Sequence, residues 1–133
     1  MLRLLLALAV FGSTAARADE TPLERGRYLV ERVGMCADCH SPRNERGELI
    51  PSAFLGGAPI GFAPQHPIPG WADYAPQLAG IPGHYTEPEL LHFLETGVRP
   101  DGSYAAPPMP PFRFSRVDAE AVALYLKSLP VPR

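Results

Sequence analysis

Prolines limit this chain more than any other feature does. It holds 17 of them in 133 residues, most between Pro51 and Pro82 and in the run Pro107-Pro108-Met109-Pro110-Pro111. Each proline fixes φ and removes a backbone donor, so helices cannot run through those segments. The predicted fold is one domain with few helices and long ordered loops. From Ser41 to Tyr85 prolines and glycines recur with little periodicity. Phe54, Leu55, Ile60, Phe62, Trp71, Tyr74 and Leu78 are too many apolar side chains for a solvated linker. A loop of that kind needs something apolar to wrap around.

The rest of the chain is predicted to be all-α, with three to four helices. Thr21, Pro22 and Glu24 form a capping box with proline at the first helical position. The helix they open runs from about residue 22 to residue 35, with Leu23, Tyr28, Leu29 and Val33 as its apolar positions. Gly26 lies inside it, at a cost of about 1 kcal/mol against Ala, which a close helix crossing would justify. Thr86 and Glu89 open a second helix that buries Leu90, Leu91, Phe93 and Leu94 and ends at Gly97. Ser115 caps a last helix to about Ser128, where Val117, Ala121, Leu124 and Tyr125 recur at helical spacing.

Residues 1–18 read as a leader. Arg3, the apolar run Leu4 to Phe11 and the small-x-small site Ala16-Arg17-Ala18 follow the order of a secretory signal. The alternative, an uncleaved anchor, needs about 20 apolar residues. Cleavage after Ala18 leaves residues 19–133 as a single exported domain, predicted to be periplasmic, with no stable membrane insertion. The formal charge of −2, with no basic stripe, gives no nucleic-acid footprint.

The chain has two cysteines, both in Cys36-Ala37-Asp38-Cys39-His40. An exported pair of cysteines can be a disulfide, and Cys-x-x-Cys can be a thiol redox motif in a βαβ setting, which is not visible here. With His40 adjoining, the motif reads as the attachment signature of haem c. Cys36 and Cys39 would form thioethers to one covalent haem, and His40 would reach the iron from the same side. Met109 is the expected sixth ligand by elimination. Met1 leaves with the leader, and Met35 abuts the motif on the His40 side. Pro107, Pro108, Pro110 and Pro111 stiffen the strap around Met109. The alternatives for that strap are a polyproline recognition segment or loop packing, and those for the ligand are His66, His84 and His92. His/Met ligation gives a relatively high potential.

At this point the sequence resembles the class I (monohaem) cytochrome c family across nearly all of residues 22–129. The resemblance rests on Gly26-x-x-Leu29-Val30, the haem motif, Pro76-x-Leu78-x-Gly80, Met109-Pro110 and Tyr125-Leu126. More narrowly, Gly26-Arg27-Tyr28-Leu29-Val30, Gly56-Gly57, Arg99-Pro100-Asp101-Gly102 and Pro108-Met109-Pro110 are similar to modules that accept electrons from bacterial periplasmic dehydrogenases. The resemblance implies a small cytochrome c fold with long loops wrapped around one haem, its first and last helices crossing at Gly26 and Tyr125. It implies that the Pro76 carbonyl accepts the Nδ1–H of His40, which would fix the ring. Trp71 and Tyr74 become possible contacts of a haem propionate, each equally readable as core packing. Two departures stand out. The insertion from Arg43 to Tyr74 separates Pro76 from the motif by more than the family's usual spacing. Lys127 is the sole lysine, so a lysine-ring docking face is not expected, and an apolar rim is.

The function this implies is a one-electron carrier rather than an enzyme. It would take electrons from a dehydrogenase and pass them to a terminal oxidase or another cytochrome in the respiratory chain. The alternatives are a tightly held cytochrome subunit of a dehydrogenase, a gas-binding cytochrome and a catalytic haem protein.

Overall fold

A computed structural model describes residues 20–81 and 85–132. The expected leader and His84 lie outside the described residues. Within them, four helices carry the core and little sheet is present. These are α1 (Pro22–Tyr28), α2 (Ala37–His40), α3 (Glu87–Thr96) and α4 (Arg116–Ser128). A two-residue antiparallel ribbon joins β1 (Ala58–Pro59) to β2 (Tyr74–Ala75), pairing Ala58 with Ala75 and Pro59 with Tyr74.

The capping chemistry fixes where the helices begin. Thr21 Oγ1 accepts from Glu24 N, and the Glu24 carboxylate accepts from Thr21 N in return. The same reciprocal box opens α3 at Thr86 and Glu89, and Ser115 Oγ accepts from Asp118 N at the start of α4. Gly97 closes α3 in the left-handed region at φ 75°, where a Cβ is disfavoured.

The first helix is not continuous to the haem motif. Its i→i−4 ladder gives way to a π turn over Leu29–Val33, and Met35 then adopts φ 46°. A non-glycine residue there costs about 1–2 kcal/mol. The break lets Cys36 N donate to Val30 O at 3.0 Å, so the cysteine motif starts a new direction in α2.

α1 and α4 cross at Gly26. A Cβ on that residue would lie 2.0 Å from Ala121 O and 2.8 Å from Tyr125 Cβ, so the helices approach closer than any side chain permits. This is the crossing that the mid-helix glycine and Tyr125 imply. Arg25 Nε donates to Asp118 Oδ1 at 2.9 Å on one flank, and Tyr125 Oη donates to Glu31 Oε1 on the other. The core that collects there includes Leu29, Val30, Leu90, Leu91, Leu94, Val122, Tyr125 and Leu126, with Leu55 and Ala79 from the loops.

The buried faces differ in part from those read off the apolar spacing. Leu23, Tyr28, Val33, Val117 and Leu124 are exposed. In α4 the inward face is carried by Ala119, Val122, Ala123 and Leu126 together with Ala121 and Tyr125. A crossing this close favours small residues, so alanines hold the centre and the larger Val117 and Leu124 are displaced outward.

Candidate functional site

The sequence brings its chemistry-bearing residues into one cleft. α2 contributes Cys36, at its N-terminal cap, Cys39 and His40. Tyr74, Ala75 and Pro76 come from β2 and the residue after it, α3 contributes Leu90 and Phe93, and the proline strap contributes Pro108, Met109 and Pro110. Gly34, Met35, Leu78 and Phe112 are also on the wall. The cleft opens to solvent, its atom-free space comes to about 1000 Å³ with the open mouth included, and its surface is mainly apolar.

His40 is buried at 5% exposure and held at both ends. Its carbonyl accepts from Gly57 N at 2.8 Å. Its Nδ1 lies 2.6 Å from the carbonyl oxygen of Pro76, which can only accept, so Nδ1 carries the hydrogen and Nε2 is the nitrogen with a lone pair. Burial lowers the imidazole pKa, and the Pro76 carbonyl pulls it back up. Ring and cleft are therefore compatible with neutral imidazole as a metal ligand.

The long insertion reaches this geometry through one glycine. Gly57 has φ 89°, and a Cβ there would meet Tyr74 Oη at 2.8 Å, Gln77 N at 2.9 Å and Ala75 O at 3.1 Å. The ribbon can thus fold flat against α2 and present Pro76 to His40. Leu78 N and Ala79 N both donate to Leu55 O, and Gly80 N donates to Leu126 O, which fastens the same segment to the helical core.

Cys36 and Cys39 are free thiols. Burial pushes the Cys36 thiol up to about 11, so it is protonated at neutral pH. Thiol redox sites need the opposite, a depressed pKa. Met109 is half-buried on the strap, and its N donates to Ala106 O at 3.1 Å. Ala72 N donates to Pro107 O at 2.7 Å, which ties the strap to the long loop.

Other sequence-derived candidates fall elsewhere. Trp71 does not line the cleft. Its ring packs edge-on against Phe62 at 5.8 Å. His66 and His92 are exposed and away from the cleft lining. Sequence reasoning missed Tyr85, Leu90, Phe93, Arg99 and Phe112 as wall residues. Only the spacing of Leu90 and Phe93 on α3 carried any signal, and it was absorbed as ordinary core packing.

The donor set fits a covalently held haem. Two thiols, an imidazole whose Nδ1 is already fixed and a thioether line the same cleft, and apolar side chains surround them. No helix among the described residues is long and apolar enough to cross a membrane.

No family model matches the chain. It is similar to the fructose dehydrogenase cytochrome subunit of Gluconobacter japonicus, at 32% identity over 80% of this chain and 22% of that protein. It is similar to a protein named diheme cytochrome c-type from Cereibacter sphaeroides, at 31% identity over 80% of this chain and 35% of that one. The gluconate 2-dehydrogenase cytochrome c subunit of Pantoea cypripedii is 36% identical over 84% of this chain and 27% of its own length. The chain thus spans between about a fifth and about a third of the length of these relatives.

Proposed function

Given that this chain belongs to the cytochrome c family, with relatives among the cytochrome subunits of bacterial dehydrogenases, we propose that it is an exported one-electron carrier with a single covalent haem c. The observation that carries this reading is that Cys36, Cys39, His40 and Met109 all line one mainly apolar cleft. The bound iron supplies a reversible one-electron couple.

The protein's own residues do the rest. Cys36 and Cys39 would hold the group by two thioethers, which would tie it to α2 and keep it from escaping in a dilute compartment. His40 offers Nε2 to the iron while the Pro76 carbonyl holds Nδ1–H, so the ring neither flips tautomer nor rotates. Met109 would also hold the iron, from a strap whose four prolines limit its freedom and so would lower the entropy cost of ligation. With His40 and Met109 both committed to the iron, the site would suit outer-sphere transfer rather than a substrate. Leu78, Leu90, Phe93 and Phe112 keep water from the centre.

Tyr74 lines the cleft and remains a contact for the edge of the group. Residues 1–18 act as the leader and the mature domain works in the periplasm. The relatives named as cytochrome subunits favour a dehydrogenase as electron donor, with another cytochrome or a terminal oxidase as acceptor. They also favour a held subunit over a free shuttle.

Production in a host that attaches haem c tests the core of this. The expected product carries haem that stays with the chain on denaturation and titrates as a reversible one-electron couple. Its ferric form has a near-infrared methionine–iron band that disappears in Met109→Ala. A chain recovered without covalent haem, or tight CO binding by the reduced wild type at neutral pH, overturns the assignment. Co-purification from native periplasm, scored for a dehydrogenase, tests the partner.

A further inference from the structure

Ser41 directly follows His40 and is buried at 2% exposure. A hydroxyl costs free energy to bury unless it is hydrogen-bonded. Ser41 ends α2 in extended backbone, φ −125° and ψ 136°, and its Oγ accepts from Leu55 N at 2.8 Å, 14 positions along the chain.

The residue it holds is an unusual one. Met35, Leu55 and Ile81 are the non-glycine residues with positive φ among the described residues, and of them Leu55 alone is buried. Leu55 has φ 53° and no exposed surface. L residues rarely take that conformation, because the Cβ crowds the following carbonyl. Strain of this kind persists only where the surroundings over-determine it, and it gathers at functional sites. Here the surroundings are hydrogen bonds on both sides of the residue. Ser41 Oγ takes its N–H, and its carbonyl accepts from Leu78 N at 2.8 Å and Ala79 N at 3.1 Å.

Those contacts close a ring around the axial histidine. Ser41 holds Leu55, Leu55 holds Leu78, and Leu78 lies two positions after Pro76, whose carbonyl oxygen is 2.6 Å from His40 Nδ1. His40 and Ser41 are neighbours, so the ring ends where it began. Gly57 N, donating to His40 O at 2.8 Å, is a second strut across it. The distance between Pro76 and the imidazole is thus set by a serine hydroxyl outside the cleft lining.

We infer that Ser41 is a positioning residue for the redox centre, acting through the strained Leu55 peptide to set how tightly Pro76 holds His40, and so to set the potential. This rests on the haem reading above. A short Nδ1–H···O bond makes the imidazole a more basic ligand, which favours the ferric state. Without the Ser41 oxygen, Leu55 can relax out of its conformation and the Pro76 carbonyl can draw back. His40 then donates less to the iron, and the ferrous state gains.

The test compares midpoint potential and urea midpoint in the isolated holoproteins of wild type, Ser41→Ala, Ser41→Thr and Val122→Ala. Ser41→Ala is expected to shift the ferric-to-ferrous ratio about threefold toward ferrous, a rise of about 28 mV for one electron. In its ferrous proton spectrum the His40 Nδ1–H resonance should move upfield, as a longer hydrogen bond requires. Ser41→Thr keeps the oxygen and is expected to restore both. Val122→Ala thins the buried core away from the cleft lining, so it should lower the urea midpoint and leave the potential as in wild type. A wild-type potential in Ser41→Ala overturns the proposal. So does an equal rise in Val122→Ala, which would mark a general effect of lost stability. If Ser41→Thr gives no holoprotein, the contrast between the two alanine variants decides. If Ser41→Ala gives none, hydrogen exchange in the wild type decides. The Leu55 amide and His40 Nδ1–H should then be protected to the same degree, because the ring opens as a unit, and protection that differs by more than about tenfold overturns the proposal. Covalent haem absorbance, scored first on the wild type, separates failure of this inference from failure of the haem reading.

Discussion

The α1–α4 crossing and the cleft are built on opposite plans. At the crossing, protein packs on protein with no room for a methyl group at Gly26. Its polar groups are paired along both flanks, Arg25 with Asp118 and Tyr125 with Glu31. At the cleft, loops replace helices. Side chains from α2, α3, the ribbon and the strap face a shared space instead of one another, and the hydrogen bonds run behind the wall, from Gly57 to His40 and from Ala72 to Pro107. The crossing owes its form to mutual shape. The wall owes its form to backbone anchors, so its side chains remain available for chemistry.

Substitutions in the two regions should therefore fail differently. Gly26→Val is expected to have the largest effect, because its Cβ would meet backbone atoms of Ala121. Overpacking against backbone costs about 3 kcal/mol or more, read as a lower urea midpoint or as loss of soluble protein. Wild-type stability in this variant would show that the crossing is looser than its geometry. Met109→Ala is the converse. The near-infrared band should vanish and the reduced protein should bind CO, while far-ultraviolet dichroism stays unchanged and stability falls by less than about 1 kcal/mol. A global loss of helix would remove the distinction between the two regions.

Smaller effects sharpen it. Trp71→Ala removes an edge-on pair with Phe62 outside the cleft wall. It should cost about 1 kcal/mol and leave the haem spectrum as in wild type, and an altered spectrum would return Trp71 to the site. The Asp118–Arg25 pair should matter least. The Arg25 hydrogen bond, with help from Ser115, holds the Asp118 carboxyl below its ordinary value. Its contribution is thus present above the unfolded pKa near 3.8 and lost as pH falls through the lower folded value. Asp118→Asn should lower Tm slightly at neutral pH and flatten the acid loss below about pH 4. An acid limb identical to wild type would discard the pair as a contributor.

The same contrast explains what could be read from the residues alone. Helix starts were legible because caps are local, and Thr21 with Glu24, Thr86 with Glu89 and Ser115 are each read from a few positions. The haem motif is equally local. Faces were harder. Val117 and Leu124 have helical spacing but point outward, because the decisive partner is Gly26 on α1, over 90 positions away. The π turn before Cys36 left no mark in the sequence. The ribbon pairs two residues on either side of a long loop, and no local signal places Pro76 against His40. Arg99 was visible as part of a charged turn, but its place on an apolar wall depends on how that turn folds.

The strap around Met109 carries one more consequence. Pro107, Pro108, Pro110 and Pro111 have no amide hydrogen, so Met109 supplies the single N–H of that five-residue stretch, and it donates to Ala106 O at 3.1 Å. In a hydrogen-exchange measurement this one proton gauges the opening of the whole segment. If Met109 binds the iron as proposed, its protection in the ferric and ferrous forms would report, from a single resonance, how often that bond opens.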